Sequence, residues 1–164
     1  MATTTEAGRA RGRHDGGLAA LYRRVDDLVG AIAEPVILLG LRVYVFYIFF
    51  RSGLAKIDNF GGTVDLFAND EWGYGPVSFL PPEIMAFLAT AFELICPVLI
   101  LIGLLTRLAS VPLLAMTILI QFVLAAAIRD YHNIEHFVFM AALAILLRFG
   151  PGLVSIDHWL RRRA

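Results

Sequence analysis

The sequence predicts an all-α integral membrane protein: a bundle of four hydrophobic helices, preceded by an amphipathic helix lying on the bilayer surface. Three observations predict it. Hydrophobic residues make up 59% of the 164 residues and charged residues only 17%, against about 45–50% and about 25% in soluble domains. The mean hydropathy is +0.72. Four stretches stay apolar over roughly the 20 residues that a membrane helix needs, and their apolar residues run round the whole helix, as burial in lipid or in a bundle requires. The same figures exclude other classes. Fourteen Lys plus Arg balance fourteen Asp plus Glu, so the basic excess of a nucleic-acid binder is missing, and the chain is too hydrophobic to be disordered. Cys96 is the only cysteine, which rules out an internal disulfide, a CxxC redox pair and a four-thiolate iron–sulfur site.

Residues 1–17 are polar and Gly-rich and are expected to be flexible, with no apolar core of a signal peptide. Over 18–34, Leu18, Leu21, Val25, Leu28, Val29 and Ile32 recur at helical spacing, with Arg23, Arg24, Asp26 and Asp27 on the other side. This predicts an amphipathic interfacial helix. The spans follow at 35–56, 83–104, 108–128 and 133–149. Residues 103–107 and 129–132 read as tight turns. The connection 57–82 is longer and carries Gly61, Gly62, Gly73, Gly75, Pro76, Pro81 and Pro82, which are turn residues. It also carries Phe60, Phe67, Trp72, Tyr74 and Phe79, and aromatic residues favour the membrane boundary. The expectation is a lid lying on the bundle, or an aromatic belt without a functional role. Gly150-Pro151-Gly152 ends the fourth span, and 155–163 can form a short cationic surface helix before the basic tail 159–164.

Ten arginines flank the spans on one side: Arg9, Arg11, Arg13, Arg23, Arg24, Arg107, Arg148, Arg161, Arg162 and Arg163. Lys56 and Arg129, with Arg51 close by, fall on the other. The positive-inside rule then puts both termini in the cytoplasm of a multi-pass protein of the inner (plasma) membrane.

Arg42, Arg51 and Lys56 in the first span and Glu93 in the second are charges at membrane depth, where they are functional candidates by default. At about 1.5 Å per residue, Glu93 lies about 15 Å below the outer end of its span, Arg51 about 8 Å and Arg42 about 21 Å below the outer end of theirs. Glu93 is thus expected to meet one of the two arginines. They lie on opposite sides of a straight helix, and Arg42, Phe46, Phe49, Gly53 and Lys56 share the side favoured as the interior. Pro97 lacks the N–H that would bond the Glu93 carbonyl, which leaves that carbonyl open to a polar ligand or water. A structural ion pair and a site for a polar headgroup or proton transfer both fit these residues.

His132 and His136 sit at i and i+4 with Glu135 between them, a spacing used for metals. No fourth ligand is evident, so no metal site is assigned, and a hydrogen bond from His136 to Gln121 of the third span is the preferred reading. No phosphate loop or dinucleotide fingerprint is present.

One ordered set of residues resembles a known family. Phe50-Arg51-Ser52-Gly53-Leu54-Ala55-Lys56 ends the first span, Leu80-Pro81-Pro82-Glu83 opens the second and Glu93 lies at its centre. Gly103-Leu104-Leu105-Thr106-Arg107 makes a turn, His136 opens the fourth span, and Gly150-Pro151-Gly152-Leu153-Val154-Ser155-Ile156-Asp157 follows it. In this order and spacing, residues 35–158 resemble the DoxX family of small four-helix membrane proteins. The resemblance implies a membrane component of redox systems, with a quinone link in some members and partnership with oxidoreductases in others. Its matching polar residues here are Arg51, Ser52, Lys56, Glu93, Arg107, His136 and Asp157, of which Arg107 and Asp157 read as structural.

The first expectation for function is therefore a redox-linked accessory subunit. Arg51, Ser52, Lys56, Glu93 and His136, with Arg42 and Gln121 nearby, would hold a quinone head and exchange its protons, beside an oxidoreductase partner that carries the electrons. Whether the chain is itself an enzyme is left open. The alternative is a non-enzymatic scaffold, homo-oligomeric or bound to a partner, that handles a small molecule or a metal. Asp65, Asp70 and Glu71 in the long connection could serve that role. A transporter is weaker, because no inverted repeat is visible.

Overall fold

A computed structural model describes residues 4–68, 80–124 and 134–163, and the side chains of 19–68, 80–122 and 134–163 within them. The described chain is all-α, with six helices. These are α1 (Thr4–Asp58), α2 (Phe60–Ala68), α3 (Pro82–Ile102), α4 (Thr106–Leu119), α5 (Ile134–Phe149) and α6 (Ile156–Arg161). A π-helical segment, Ile120–Leu124, continues α4. Two helices are long and apolar enough to cross a membrane, Ala19–Asp58 and Pro82–Ile102. The third and fourth expected spans correspond to α4 with its π-helical continuation and to α5, which has 16 residues.

The chain divides into two units, 1–36 and 37–164. In the first, the helix assignment begins at Thr4, within a stretch that sequence alone reads as flexible. Ala, Arg and Glu, which are good helix formers, recur there. The stripe Leu21, Val25, Leu28, Val29 and Ile32 is exposed along this helix, as are the polar residues between them.

In the second unit the core draws on four helices. Leu38, Val45 and Phe49 of α1 pack with Cys96 and Ile100 of α3, Ala109 and Leu113 of α4, and Ala142, Leu143 and Leu146 of α5. Spacings of three and four residues put these side chains on one face of each helix. Gly103, at φ 71°, ends α3, and its N–H bonds the Ile100 carbonyl. The chain turns through Leu105, at φ 50°, into α4. This is the tight hairpin that the sequence predicts.

The connection after α1 departs from expectation. Residues 60–68 form helix α2 rather than a turn-rich loop. Phe60, Val64 and Phe67 recur at i, i+4 and i+7, and that period outweighs the weak helix propensity of Gly61 and Gly62. Phe67 packs with Ala86 and Ala89, so α2 lies against the first turns of α3. The lid reading of Trp72, Tyr74 and Phe79, and the acidic residues Asp70 and Glu71, lie outside the described residues. So do the 129–132 turn and His132.

Candidate functional site

The interior face of α1 carries the site. Arg42, Val45, Phe49 and Gly53 are buried along it and Lys56 is half-buried, whereas Arg51 is exposed. The face expected to be interior is therefore interior, but the expected partner of Glu93 is corrected. Neither arginine meets it. Lys56 Nζ donates to Glu93 Oε2 at 2.6 Å and to Ser52 Oγ at 3.0 Å. Depth counted from helix ends misled because those ends are not level. Helix α2 occupies the side of α3's first turns, so the end of α1 lies opposite the middle of α3.

Gly53 makes this contact geometrically accessible. A Cβ there would lie 2.9 Å from Leu94 Cγ and 3.1 Å from the carbonyl carbon of Glu93. The backbones of α1 and α3 thus touch at Gly53, one turn before Lys56, in the manner of small-residue contacts between membrane helices. The Glu93 side chain is 5% exposed and that of Lys56 23%. Glu93 is thus the more deeply buried partner of the pair. An ammonium has three donors, of which Ser52 and Glu93 engage two. A cleft of about 390 Å³ is lined by Ile57, Phe60, Phe87, Thr90, Ala91 and Leu94 among others, and Ser52, Lys56 and Glu93 are not part of its lining. Ile57 follows Lys56, and Thr90 and Leu94 flank Glu93 in sequence. Its walls are apolar apart from Thr90, whose hydroxyl bonds the Ala86 carbonyl at 2.7 Å.

Arg42 belongs elsewhere. It is 3% exposed, and its guanidinium gathers four carbonyls from two chain ends. Nε donates to Ile100 O at 2.8 Å and Nη2 to Leu101 O, both at the end of α3. Nη1 donates to Pro151 O at 3.1 Å and to Val154 O. Carbonyls at the end of a helix have no partner within it, and only a planar, multi-donor cation can serve so many at once. Arg42 is thus a structural clamp rather than a ligand group. Its neighbourhood is closed further by Asp157, whose Oδ1 accepts from Leu105 N–H at 3.1 Å and whose N–H bonds Gly103 O at 3.0 Å. Arg51 lies on the exposed side of α1, where Nη1 donates to Tyr47 Oη at 3.2 Å.

A second polar station lies between α4 and α5. His136 Nδ1 is 2.8 Å from Gln121 Oε1, the contact that their similar depth predicts. Gln121 is 2% exposed and is held by the π-helical segment Ile120–Leu124. Such segments re-aim single side chains and recur at functional sites. The His136 ring packs on Phe139, with centroids 6.0 Å apart, and Phe139 packs on Phe49 of α1. Among the described residues, no group of three His, Cys, Asp or Glu side chains is placed to hold a metal ion.

Of the expected site residues, the structure joins Ser52, Lys56 and Glu93, pairs Gln121 with His136, and separates Arg42 and Arg51 from both. Sequence reasoning missed the apolar cleft. Its signal was the aromatic pair Phe60 and Phe87 near the ends of facing helices.

Apolar helices long enough to cross a bilayer, with an ion pair buried between two of them, define an α-helical membrane protein. The sequence model of the DoxX family matches residues 37–126. This chain belongs to the DoxX family. It is also 29% identical over 144 residues to an uncharacterized protein of Haemophilus influenzae, covering 84% of this chain and 91% of that one. No solved structure matches it.

Proposed function

We propose that this protein is a membrane-embedded accessory subunit of a redox system, holding a quinone head beside Lys56 and Glu93. In this reading α1, α3, α4 and α5 all span the membrane, both termini are cytoplasmic, and the pair lies towards the outer half. The observation that carries the proposal is the Lys56–Glu93–Ser52 cluster itself: a half-buried ammonium, with two of its three donors engaged, held on a buried carboxylate one residue along α1 from the apolar cleft. Ligand sites are typically about 300–1,000 Å³, apolar and provided with a few placed polar groups; the cleft has the volume and the apolar walls, and the polar group would come from Lys56, next to Ile57 of its lining.

A quinone supplies two-electron, two-proton chemistry when bound. The rest of the work falls to this chain's own side chains. Lys56 donates a hydrogen bond to a carbonyl oxygen of the ligand. Glu93 and Ser52 orient the Lys56 ammonium. Proton exchange at Lys56 Nζ is coupled to Glu93 Oε2, because either partner left alone would be an uncompensated charge at membrane depth. The walls of the cleft exclude water. Electrons come from an oxidoreductase partner.

The test is extraction of quinone from protein purified gently from its native membrane. Stoichiometric quinone in the wild type, reduced severalfold in Lys56→Gln, supports the reading. A folded wild type without quinone replaces it with the scaffold or small-molecule-handling reading, in which the ion pair is structural.

A further inference from the structure

We propose a second binding site, where α5 ends, for the phosphate-bearing head of an anionic phospholipid. Five arginines are exposed in this region: Arg107, Arg148, Arg161, Arg162 and Arg163. Three of them are placed around one turn. Arg107 Nη2 donates to the Arg148 carbonyl at 3.2 Å, and a Cβ at Gly150 would lie 3.3 Å from Arg107 Nε. Arg107 is thus laid against the end of α5. Arg148 lies over the ring of Phe149, with Cζ 5.4 Å from its centroid. Phe149 in turn forms one wall of a cleft of about 160 Å³, whose other walls include Pro151, Ser155, His158 and Arg161.

The charge of this region is one-sided. Asp157 is the carboxylate in the cleft wall, and its Oδ1 already accepts from the Leu105 N–H. A guanidinium has five donors, and Arg107 places one on a carbonyl. The remaining donors suit phosphate oxygens, which Arg binds bidentately.

Apolar surface beside the cations distinguishes a lipid from a soluble phosphate. Phe149, Leu153, Val154, Trp159 and Leu160 are all about half exposed, and Arg163 lies 3.7 Å over the Trp159 ring. A free phosphate compound leaves these side chains unused, whereas a phospholipid covers them with acyl chains as its head meets the arginines. Positive charge next to membrane helices selects anionic over zwitterionic heads.

The experiment uses the full chain in phosphatidylcholine nanodiscs containing a minor fraction of phosphatidylglycerol, with retained lipid counted by native mass spectrometry. The expected result is phosphatidylglycerol enriched at least about tenfold over its share. In Arg148→Gln/Arg161→Gln the enrichment falls to near parity. Equal retention of the two lipids by the wild type overturns the proposal, as does full enrichment in the variant. Displacement of the lipid by millimolar inorganic phosphate also overturns it, in favour of a soluble ligand. If the variant does not fold, salt decides on the wild type alone. Exposed charges are screened at molar salt, so an enrichment that survives molar salt contradicts the proposal and one that disappears supports it.

Discussion

Lys56 Nζ lies 2.6 Å from Glu93 Oε2, and this contact joins the end of one long helix to the middle of the next. The carboxylate is the more deeply buried of the two. In the proposed function, that asymmetry leaves Lys56 as the member that meets a ligand. It also makes the pair vulnerable, since removing either partner strands the other.

Lys56→Ala leaves the Glu93 carboxylate buried without its cation. Breaking a buried pair in this way costs about 3–5 kcal/mol. Replacing both partners with apolar side chains of similar size removes the stranded charge, so Lys56→Met/Glu93→Leu should recover most of the loss. Thermal unfolding of the purified proteins in detergent checks the order. Equal stability of the single and double variants would show that the pair is not coupled.

Gly53 sets the distance between α1 and α3. The clash of a Cβ with Leu94 can be relieved by side-chain movement, but the 3.1 Å approach to the Glu93 backbone cannot. Gly53→Ala should cost about 1–3 kcal/mol, the usual range for overpacking, and Gly53→Leu should separate Lys56 from Glu93. The readout is thermal unfolding in detergent: the midpoint should fall in Gly53→Ala and further in Gly53→Leu, and an unchanged midpoint in both would contradict the close approach.

Arg42 holds four carbonyls, and its replacement removes their shared donor, although the Ile100 carbonyl keeps the Gly103 N–H. Hydrogen bonds to charged groups contribute about 1.5–3 kcal/mol each. Arg42→Gln should therefore be the most destabilising change on α1, and Arg42→Lys should recover only part, because a point charge cannot reach carbonyls on two chain ends. Expression and thermal stability measure both. Lipid or quinone content per folded molecule should not change.

Gln121 is expected to set the tautomer of His136: with its amide oxygen as the acceptor, Nδ1 should carry the proton. Nitrogen NMR of labelled protein should report the Nδ1–H form. Gln121→Leu should remove that bias, and an unchanged tautomer in this variant would mean that another group sets it.

Much of the fold was legible because lipid imposes simple rules. All-round hydrophobicity marks spans, and Gly103 and Gly150 mark their ends. The residues that share the interior face of α1 followed from helical periodicity, but Arg51, expected to line the pocket, is exposed on the other side. The identity of Glu93's partner was not legible, because it depends on how far α1 and α3 are staggered, and stagger is set by α2. That helix was hidden by Gly61 and Gly62, which read as turn residues although Phe60, Val64 and Phe67 keep helical spacing. The clamp at Arg42 has no local signature either. Its four acceptors are backbone groups of residues 58 to 112 positions away, and nothing in their side chains announces them. The His136 contact was legible from depth, because Gln121 and His136 lie near the same ends of the spans that the sequence predicts.

The central claim is that Lys56 presents a free donor to a redox-active ligand. The most direct measurement is the quinone content of protein extracted in mild detergent from its native membrane, compared between wild type, Lys56→Gln and Glu93→Gln, each normalised to folded protein. The account predicts about one quinone per wild-type chain and a severalfold loss in both variants. Quinone at the same stoichiometry in all three, or none in a folded wild type, would contradict it.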